Sequence, residues 1–576
     1  MTVMTLGDAA DHVMRVDPRF AVTEAVIDGV RFRVFENAPR NLREMLRVGE
    51  RRHDDGDFVV YRDERWSYAA FLRDTNRVAA MLARDLGVGP GARVAIAMRN
   101  YPELLLLMMA IASVGAVAVF VNAWWTAEEL EYALQDSEAR LVFADAPRFE
   151  RIGAFAERRG IRLVGVRDAE VSASLTFSDL MAQHTYADWP DAAIAPDADF
   201  AVMYSSGSTG HPKGVVLTHR GAISAVYSWL MGGEMARLLQ DASLGLPGGE
   251  TPKPPVVLIA TPLFHVTATH PLWLQSIPLG ARNVLLRKWD AEEAVRVIQR
   301  EQVSRFVGVP TQSADLMLAA RRLSAEMPSL EYLGAGGAKR PPPQVAELAA
   351  AFPRSVIASG WGMTETNALG LTLSGPDYLA RPGAAGRLLP PLQDLKIVDD
   401  DGEAVPNGMV GELVVKSPAN MRGYLNDPEA TAAALRDGWL FTGDLATLDD
   451  DGFVTIVDRK KNIIIRGGEN IACLDVEAAI HRHADVIEAG VFPVPDQRLG
   501  ETVGAAVHLR DGAALDAEAL REFLAEHIAP FKIPEHIWFL DRPLPRGATD
   551  KLDRRRLRAE RLAAAVDPEL MKEPNA

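Results

Sequence analysis

Five short runs rich in β-branched and aromatic residues each break into a loop crowded with Gly, Ser, Thr, Pro or His, and no other feature of the chain constrains its fold as much. Phe200–Tyr204 runs into SSGSTGHPKG, Val256–Ala260 into TPLFH, Arg305–Val309 into PTQ, Tyr332–Leu333 into GAGGAK, and Ser355–Ala358 into SGWGMTET. In parallel α/β sheets ligands bind outside the carboxyl ends of the strands, so five such loops are expected to converge on one crevice. Upstream, the same grammar predicts strands at Val94–Met98, Ala116–Val121 and Leu141–Ala144. Between them lie helical stretches such as Thr126–Asp136, where Thr126 followed by Glu128 and Glu129 marks a helix start. The expected fold class is α/β, with a large N-terminal domain of two parallel-sheet βαβ subdomains.

Leu104–Val121 is 18 residues long with only Ser113 polar, which meets the minimum length of a membrane-spanning helix. Its first half is rich in Leu and Met, Gly115 interrupts it, and its second half turns β-branched. That is the pattern of a buried helix running into a buried parallel strand. The N-terminal MTVMTLGDAADHVMRVD carries acids early and lacks a basic-then-apolar layout, so no targeting or integral membrane segment is expected. The balance of 62 Lys plus Arg against 78 Asp plus Glu, a net −16, repels phosphate backbones and anionic lipid, which argues against nucleic acid as a partner. Cys473 is the only cysteine, which forbids an intramolecular disulfide and suits a reducing, cytoplasmic setting.

After about residue 385 the pattern changes. DLKIVDDDGEAVPNGMVGELVVKS alternates around Asp-Gly and Asn-Gly turn signals and predicts antiparallel strands of a small β subdomain. Beyond DDDGFVTIVDRKKN follows a compact α+β segment, with helices expected at Asp475–Arg482 and Asp516–His527 and strands at Ala489–Val494, Gly504–Leu509 and His536–Phe539. A boundary at Asp458 divides the chain into domains 1–457 and 458–576. The closing KLDRRRLRAERLAAA reads as a basic helix with a solvated face.

The loop SSGSTGHPKG reads as a phosphate cradle. Small residues let backbone N–H groups approach an anion, Ser205, Ser206, Ser208 and Thr209 add hydroxyls, and Lys213 adds charge. It is not a Walker A loop: Pro212 stands where the Gly before Lys belongs, and Gly214 where a magnesium-binding Ser or Thr would be.

Taken in order, YSSGSTGHPKGVVLTHRG, GWGMTET, GWLFTGDLATLDDDGFVTIVDRKKNIIIRGGENI and PRGATDK resemble the adenylate-forming superfamily of acyl-CoA synthetases, luciferases and peptide-synthetase adenylation domains. The likeness runs from about residue 40 to 560. It implies a large N-terminal domain and a small mobile α+β C-terminal domain. It also implies a two-step reaction: a carboxylate attacks the α-phosphate of ATP to give acyl-AMP and pyrophosphate, and the thiol of coenzyme A then displaces AMP.

The resemblance also assigns roles. Ser205, Ser206, Gly207, Ser208, Thr209, Gly210 and Lys213 would hold the pyrophosphate, where developing charge needs stabilising. Glu365, with Thr209, would supply hard oxygen ligands for Mg2+. Gly336, Gly337 and Ala338 would line the adenine and acyl-carbonyl pocket, beside Trp361, Gly362, Met363 and Thr364. Asp444 and Arg459 would bind the ribose hydroxyls, His265 would lie near the acyl carbonyl and thiol tunnel, and Asp458 would be the hinge. Gly467, Gly468, Glu469 and Asn470 would form the loop that faces CoA. Lys551 would be the mobile lysine that reaches the carboxylate and α-phosphate, although Asp550 stands where the family usually has Gly, and Lys339 follows GAGGA where an apolar residue or Pro is frequent.

The segment Gly221–Thr261, with Trp229 and Met231, is expected to shape the acyl tunnel. No fixed cationic partner stands in an obvious acyl loop, which points to an apolar acid, either a medium- or long-chain fatty acid or an aryl-alkanoic acid. The alternatives are a ligase that passes its acyl-AMP to a carrier protein and a catalytically inactive nucleotide-binding homologue. The small-molecule acid, ATP and CoA are the expected partners, and homodimerisation is compatible with this reading.

Overall fold

The computed structural model describes residues 4–53, 55–171, 173–183, 189–205, 212–244, 253–466, 469–547 and 551–566. Two large sheets form the first body. The seven-stranded sheet runs in the order Gly423–Tyr424, Lys213–Thr218, Asp199–Ser205, Val117–Phe120, Arg93–Ala97, Leu141–Ala144, Arg162–Gly165. From Asp199–Ser205 onward every neighbour pair is parallel. The nine-stranded sheet is parallel across Asp57–Tyr61, Arg282–Leu285, Val256–Ile259, Arg305–Gly308, Tyr332–Ala335 and Val356–Trp361, with antiparallel strands at both edges. Its register sets Gly308, Ala335 and Ser359 abreast, so the loops that follow three of the predicted runs leave the sheet at one end.

Local chemistry sets the elements as the sequence suggests. Thr126 caps helix Ala127–Asp136, its hydroxyl accepting from Glu129 N while the Glu129 carboxylate accepts from Thr126 N, a reciprocal capping box. The apolar run Leu104–Val121 divides at Gly115, whose φ of +74° turns helix Pro102–Ser113 into strand Val117–Phe120. That helix is apolar all round because it lies between the sheets. One core cluster joins its Leu104–Ala112 to Ile96 and Phe120 of the first sheet and to Phe58 and Ile259 of the second. Among the described residues, no helix is long and apolar enough to cross a membrane.

A five-stranded, antiparallel sheet follows, built from Asp394–Val398, Gly411–Lys416, Leu435–Arg436, Trp439–Leu448 and Val454–Arg459. A second five-stranded sheet, from Ile463–Arg466 to His536–Leu540, carries helices Cys473–Ile480 and Ala517–Ala525 on its own core of Ile464, Val491, Val503 and Leu520. The basic C-terminal helix Arg554–Val566 departs from expectation. It is not merely solvated: Leu557 is fully buried beside Phe492 and Leu544, and Arg554 pairs with the buried Glu477 at 2.6 Å. Leu557 and Leu562 pack into that cluster, while Arg555 and Arg556 face water and Arg558 and Arg561 are half-buried.

Because Leu107 is completely buried between the sheets, Leu107→Ala should destabilise the protein by about 2–5 kcal/mol through lost transfer energy and an unfilled cavity. Urea unfolding followed by far-ultraviolet circular dichroism checks this; a midpoint equal to the parent's would mean that the helix is not a core element.

Candidate active site

Glycine at 337 is required twice over. Its φ is +79°, and a Cβ there would lie 3.0 Å from Cε and 3.2 Å from Nζ of Lys551. The lysine thus reaches from the smaller unit across the loop that ends strand Tyr332–Ala335. Its own backbone is tied down, Gly547 N donating to the Lys551 carbonyl at 2.8 Å. The side chain keeps a surface open to solvent, yet protein atoms crowd it. That crowding, followed by the Arg459 charge, pushes its ammonium down to about 8, while Asp444 and Glu365 oppose the shift. Water at the open face screens part of this effect.

Two bonded groups lie within electrostatic reach of this lysine. Trp361 closes strand Val356–Trp361 and donates its indole N–H to Asp444 at 2.8 Å. Asp444 is buried, stands opposite Arg459 in the antiparallel register, and pairs with the Arg459 guanidinium at 2.7 Å. Glu365 lies in the short helix Thr364–Thr366 and is also buried, with Tyr424 Oη donating to its Oε1 at 3.0 Å. Burial raises the Glu365 carboxyl above the usual carboxylate range; the Tyr424 hydroxyl and the Arg459 charge pull the other way, and Asp444 adds to the rise. His265 precedes the turn Val266–Ala268, and its buried Nε2 has no hydrogen-bond partner among the described residues. Desolvation, then the Lys551 charge, push its imidazole down to about 3, so it is neutral at ordinary pH.

Lys213, the charge of the glycine-rich loop, pairs with Asp427 at 3.1 Å and lies 5.0 Å from the Tyr424 ring centre. Tyr424 therefore touches both the cation of one loop and the carboxylate of another. Neither Tyr424 nor Asp427 was singled out from the sequence. The available signal was Asp427-Pro428, a helix start: Asp427 accepts from Ala430 N and caps Pro428–Ala434. Of the remaining candidates, Ser205 ends its strand, Gly336 adjoins Thr267, Ala338 is exposed, and Gly362 has no room for a Cβ against the Ala368 backbone. Met363 and Thr364 are half-buried. Glu469 and Asn470 are exposed on a hairpin of the smaller unit, strand Glu469–Ala472 against Ile463–Arg466. Ser206, Gly207, Ser208, Thr209, Gly210, Gly467, Gly468 and Asp550 lie outside the described residues.

Trp229 packs with Ala225, Leu369, Leu389 and Ala419. The Asp458 carboxylate is fully buried and does more than mark a turn: it accepts from Arg459 N at 2.7 Å and Asn462 Nδ2 at 3.3 Å, and from Leu474 N, at the start of helix Cys473–Ile480, at 2.9 Å. Among the described residues, no group of three or more His, Cys, Asp or Glu could cage a metal. A lone buried carboxylate such as Glu365 fits an ion that keeps its waters and takes its other ligands from substrate phosphates, which is the habit of Mg2+.

The chain is similar to known proteins over most of its length. Residues 46–425 match the AMP-binding enzyme family and residues 475–551 match the AMP-binding enzyme C-terminal domain. The chain is 34% identical over 490 residues to a feruloyl-CoA synthase from Amycolatopsis sp, covering 84% of this chain and 92% of that protein. It is 31% identical over 554 residues to the long-chain-fatty-acid–CoA ligase of Bacillus subtilis, covering 90% and 94%. Among solved structures it resembles a Mycobacterium tuberculosis fatty acyl CoA synthetase, with a TM-score of 0.70 at 29% identity over 91% of this chain and 99% of that one. It also resembles the Bacillus subtilis o-succinylbenzoate CoA synthetase bound to its acyl-adenylate, with a TM-score of 0.75 at 28% identity over 89% and 97%. With family matches over residues 46–425 and 475–551 and relatives 34% and 31% identical over most of both chains, the chain belongs to the AMP-binding, adenylate-forming enzymes of the acyl-CoA synthetase type.

Proposed function

We propose that this protein activates a carboxylic acid with an uncharged, apolar tail as acyl-AMP and transfers the acyl group to coenzyme A. The observation that carries the reading is Lys551 lying over Gly337 within the electrostatic reach of Glu365, Asp444, Arg459 and His265. An ammonium at that point meets the charge that develops on the α-phosphate oxygens as a carboxylate attacks and pyrophosphate leaves. The Asp444 carboxylate, oriented by Trp361 and Arg459, is a suitable acceptor for vicinal ribose hydroxyls. Lys213, with Thr209 and the loop from Ser205, would meet the pyrophosphate, which requires Lys213 to leave Asp427 when ATP binds. Mg2+ held by Glu365 and Thr209 would neutralise phosphate charge.

Support for an apolar tail comes from the side chains nearest the lysine: Val309 beside Gly337 is apolar and the His265 imidazole is neutral. The feruloyl and long-chain-fatty-acid relatives agree with such a tail. The second half-reaction needs the ground over Gly337 vacated, and Asp458, where the larger sheet hands over to helix Cys473–Ile480, is the hinge we assign.

Pyrophosphate release should appear with ferulate, 4-coumarate or a fatty acid, and thioester only when CoA is added. Release without any CoA-dependent thioester would point to a carrier-protein acceptor, and no release with any acid to an inactive homologue. Lys551→Ala should lower acyl-AMP formation by about 10²–10³, the scale for one transition-state donor. Thioester formation from supplied acyl-AMP should persist; equal loss of both steps would remove Lys551 from its role.

A pH prediction follows from Tyr424. Glu365 binds a cation only when ionised, so activity is present above its pKa and is lost as pH falls through it. The Tyr424 hydroxyl favours the ionised form. Tyr424→Phe therefore raises the Glu365 pKa further and should move the acid limb of the pyrophosphate-release profile to higher pH. An unmoved acid limb would dissociate Glu365 from that step.

A further inference from the structure

Asn367, two positions after Glu365, is completely buried where three segments meet. It closes the short helix Thr364–Thr366 with a left-handed φ of +51°, its N–H donating to the Thr364 carbonyl at 3.1 Å. Its side-chain amide donates to the Ala419 carbonyl at 2.7 Å, and His270 meets its oxygen at 2.9 Å. Helix His219–Leu244 approaches so closely that a Cβ at Gly221 would lie 2.7 Å from Asn367 Nδ2. The neighbouring backbone is pinned too, because Met421 N donates to the Glu365 carbonyl at 2.7 Å.

Donor chemistry gives these contacts one direction. The Ala419 carbonyl can only accept, so Asn367 Nδ2 donates to it and Asn367 Oδ1 is left to accept from His270 Nε2–H. His270 is fully buried in the π-helical turn Thr269–Leu274; burial pushes its imidazole down to about 4, so the ring is neutral and its Nδ1 accepts from the Thr269 hydroxyl at 2.9 Å. Thr269 N donates in turn to the His265 carbonyl at 3.1 Å, so the chain of bonds ends on the turn that carries His265. At its other end, Ala419 and Met421 lead into Tyr424, the residue that donates to the Glu365 carboxylate. Glu365 and its donor therefore sit on separate segments that Asn367 joins. We propose that Asn367 is a positioning residue for Glu365: bonded to the Ala419 carbonyl on one side and to His270 on the other, it fixes the turn bearing that carboxylate against the segment bearing Tyr424. This deepens the functional reading above and rests on it for the role of Mg2+, but not for the placement of Glu365.

The experiment has a structural and a kinetic arm, both on the full chain. Glycine takes a left-handed φ without strain, so Asn367→Gly removes the side chain and spares the backbone of the turn. Crystal structures should show Glu365 holding Tyr424 Oη near 3.0 Å in the parent and displaced from it in Asn367→Gly; a contact kept in the variant overturns the proposal. In ATP–pyrophosphate exchange, the half-saturating Mg2+ concentration of Asn367→Gly should rise about three- to tenfold, less than the roughly 10–100-fold typical when a partner bonded directly to a metal ligand is lost. Thioester formation from supplied acyl-AMP and CoA makes no call on that carboxylate and should hold. His270→Phe leaves residue 367 intact and should raise the Mg2+ requirement in the same direction, whereas His270→Gln, which restores a donor where Nε2 stood, should bring it back toward the parent's. An unchanged requirement in either Asn367→Gly or His270→Phe, no recovery with Gln, or an equal loss of both half-reactions overturns the proposal; should Asn367→Gly fail to fold, the two His270 variants decide it. Exchange absent from the parent with every acid would refute the functional reading, and the crystal structures would still decide the role of Asn367.

Discussion

The structure depends on one long-range placement: a lysine of the smaller unit lodged over a glycine of the larger one. Lys551 can occupy that point only because residue 337 has no side chain and takes a positive φ. An ammonium set among protein atoms is costly unless negative charge is near, and Asp444 and Glu365 supply it. Both carboxylates are buried, and each has its own donor, Trp361 and Arg459 for Asp444 and Tyr424 for Glu365. The crevice is thus a balanced set of charges arranged before any substrate arrives, the arrangement that costs least reorganisation during reaction.

The two parallel sheets exist to hold that set still. Gly308, Ala335 and Ser359 lie abreast because the strands run parallel in register, and Val309, Gly337 and the strand-ending Trp361 follow them at the same edge. The antiparallel sheet contributes Asp444 and Arg459 from neighbouring strands, and the edge of the seven-stranded sheet contributes Tyr424. The charge set therefore spans three sheets of one body, with only Lys551 arriving from outside.

Much of this was legible in the sequence because the signals are local. Alternation of β-rich runs with helix starts such as Thr126 and Glu129 reports neighbours in the chain, and the elements fall within a few residues of expectation. Glycine, tryptophan, carboxylate and lysine positions in the ordered motifs likewise marked Gly337, Trp361, Glu365, Asp444 and Lys551. What escaped are partners fixed by tertiary approach. Tyr424 donates to Glu365 across 59 positions of sequence, and Lys213 meets Asp427, so neither pairing leaves a local trace. The C-terminal basic helix misled because its arginines dominate its composition, whereas Leu557 and the Arg554–Glu477 pair decide its packing.

The account makes the acid's own oxygen the nucleophile toward the α-phosphate, with AMP the group later displaced by the CoA thiol. An acid labelled with 18O in its carboxylate, turned over with ATP and CoA, tests that directly by mass spectrometry of the products. The account predicts one 18O atom in the phosphate of AMP and none in pyrophosphate. Label recovered in pyrophosphate or inorganic phosphate, or a product nucleotide of ADP with unlabelled AMP, would contradict an acyl-adenylate and with it the role given to every residue around Lys551.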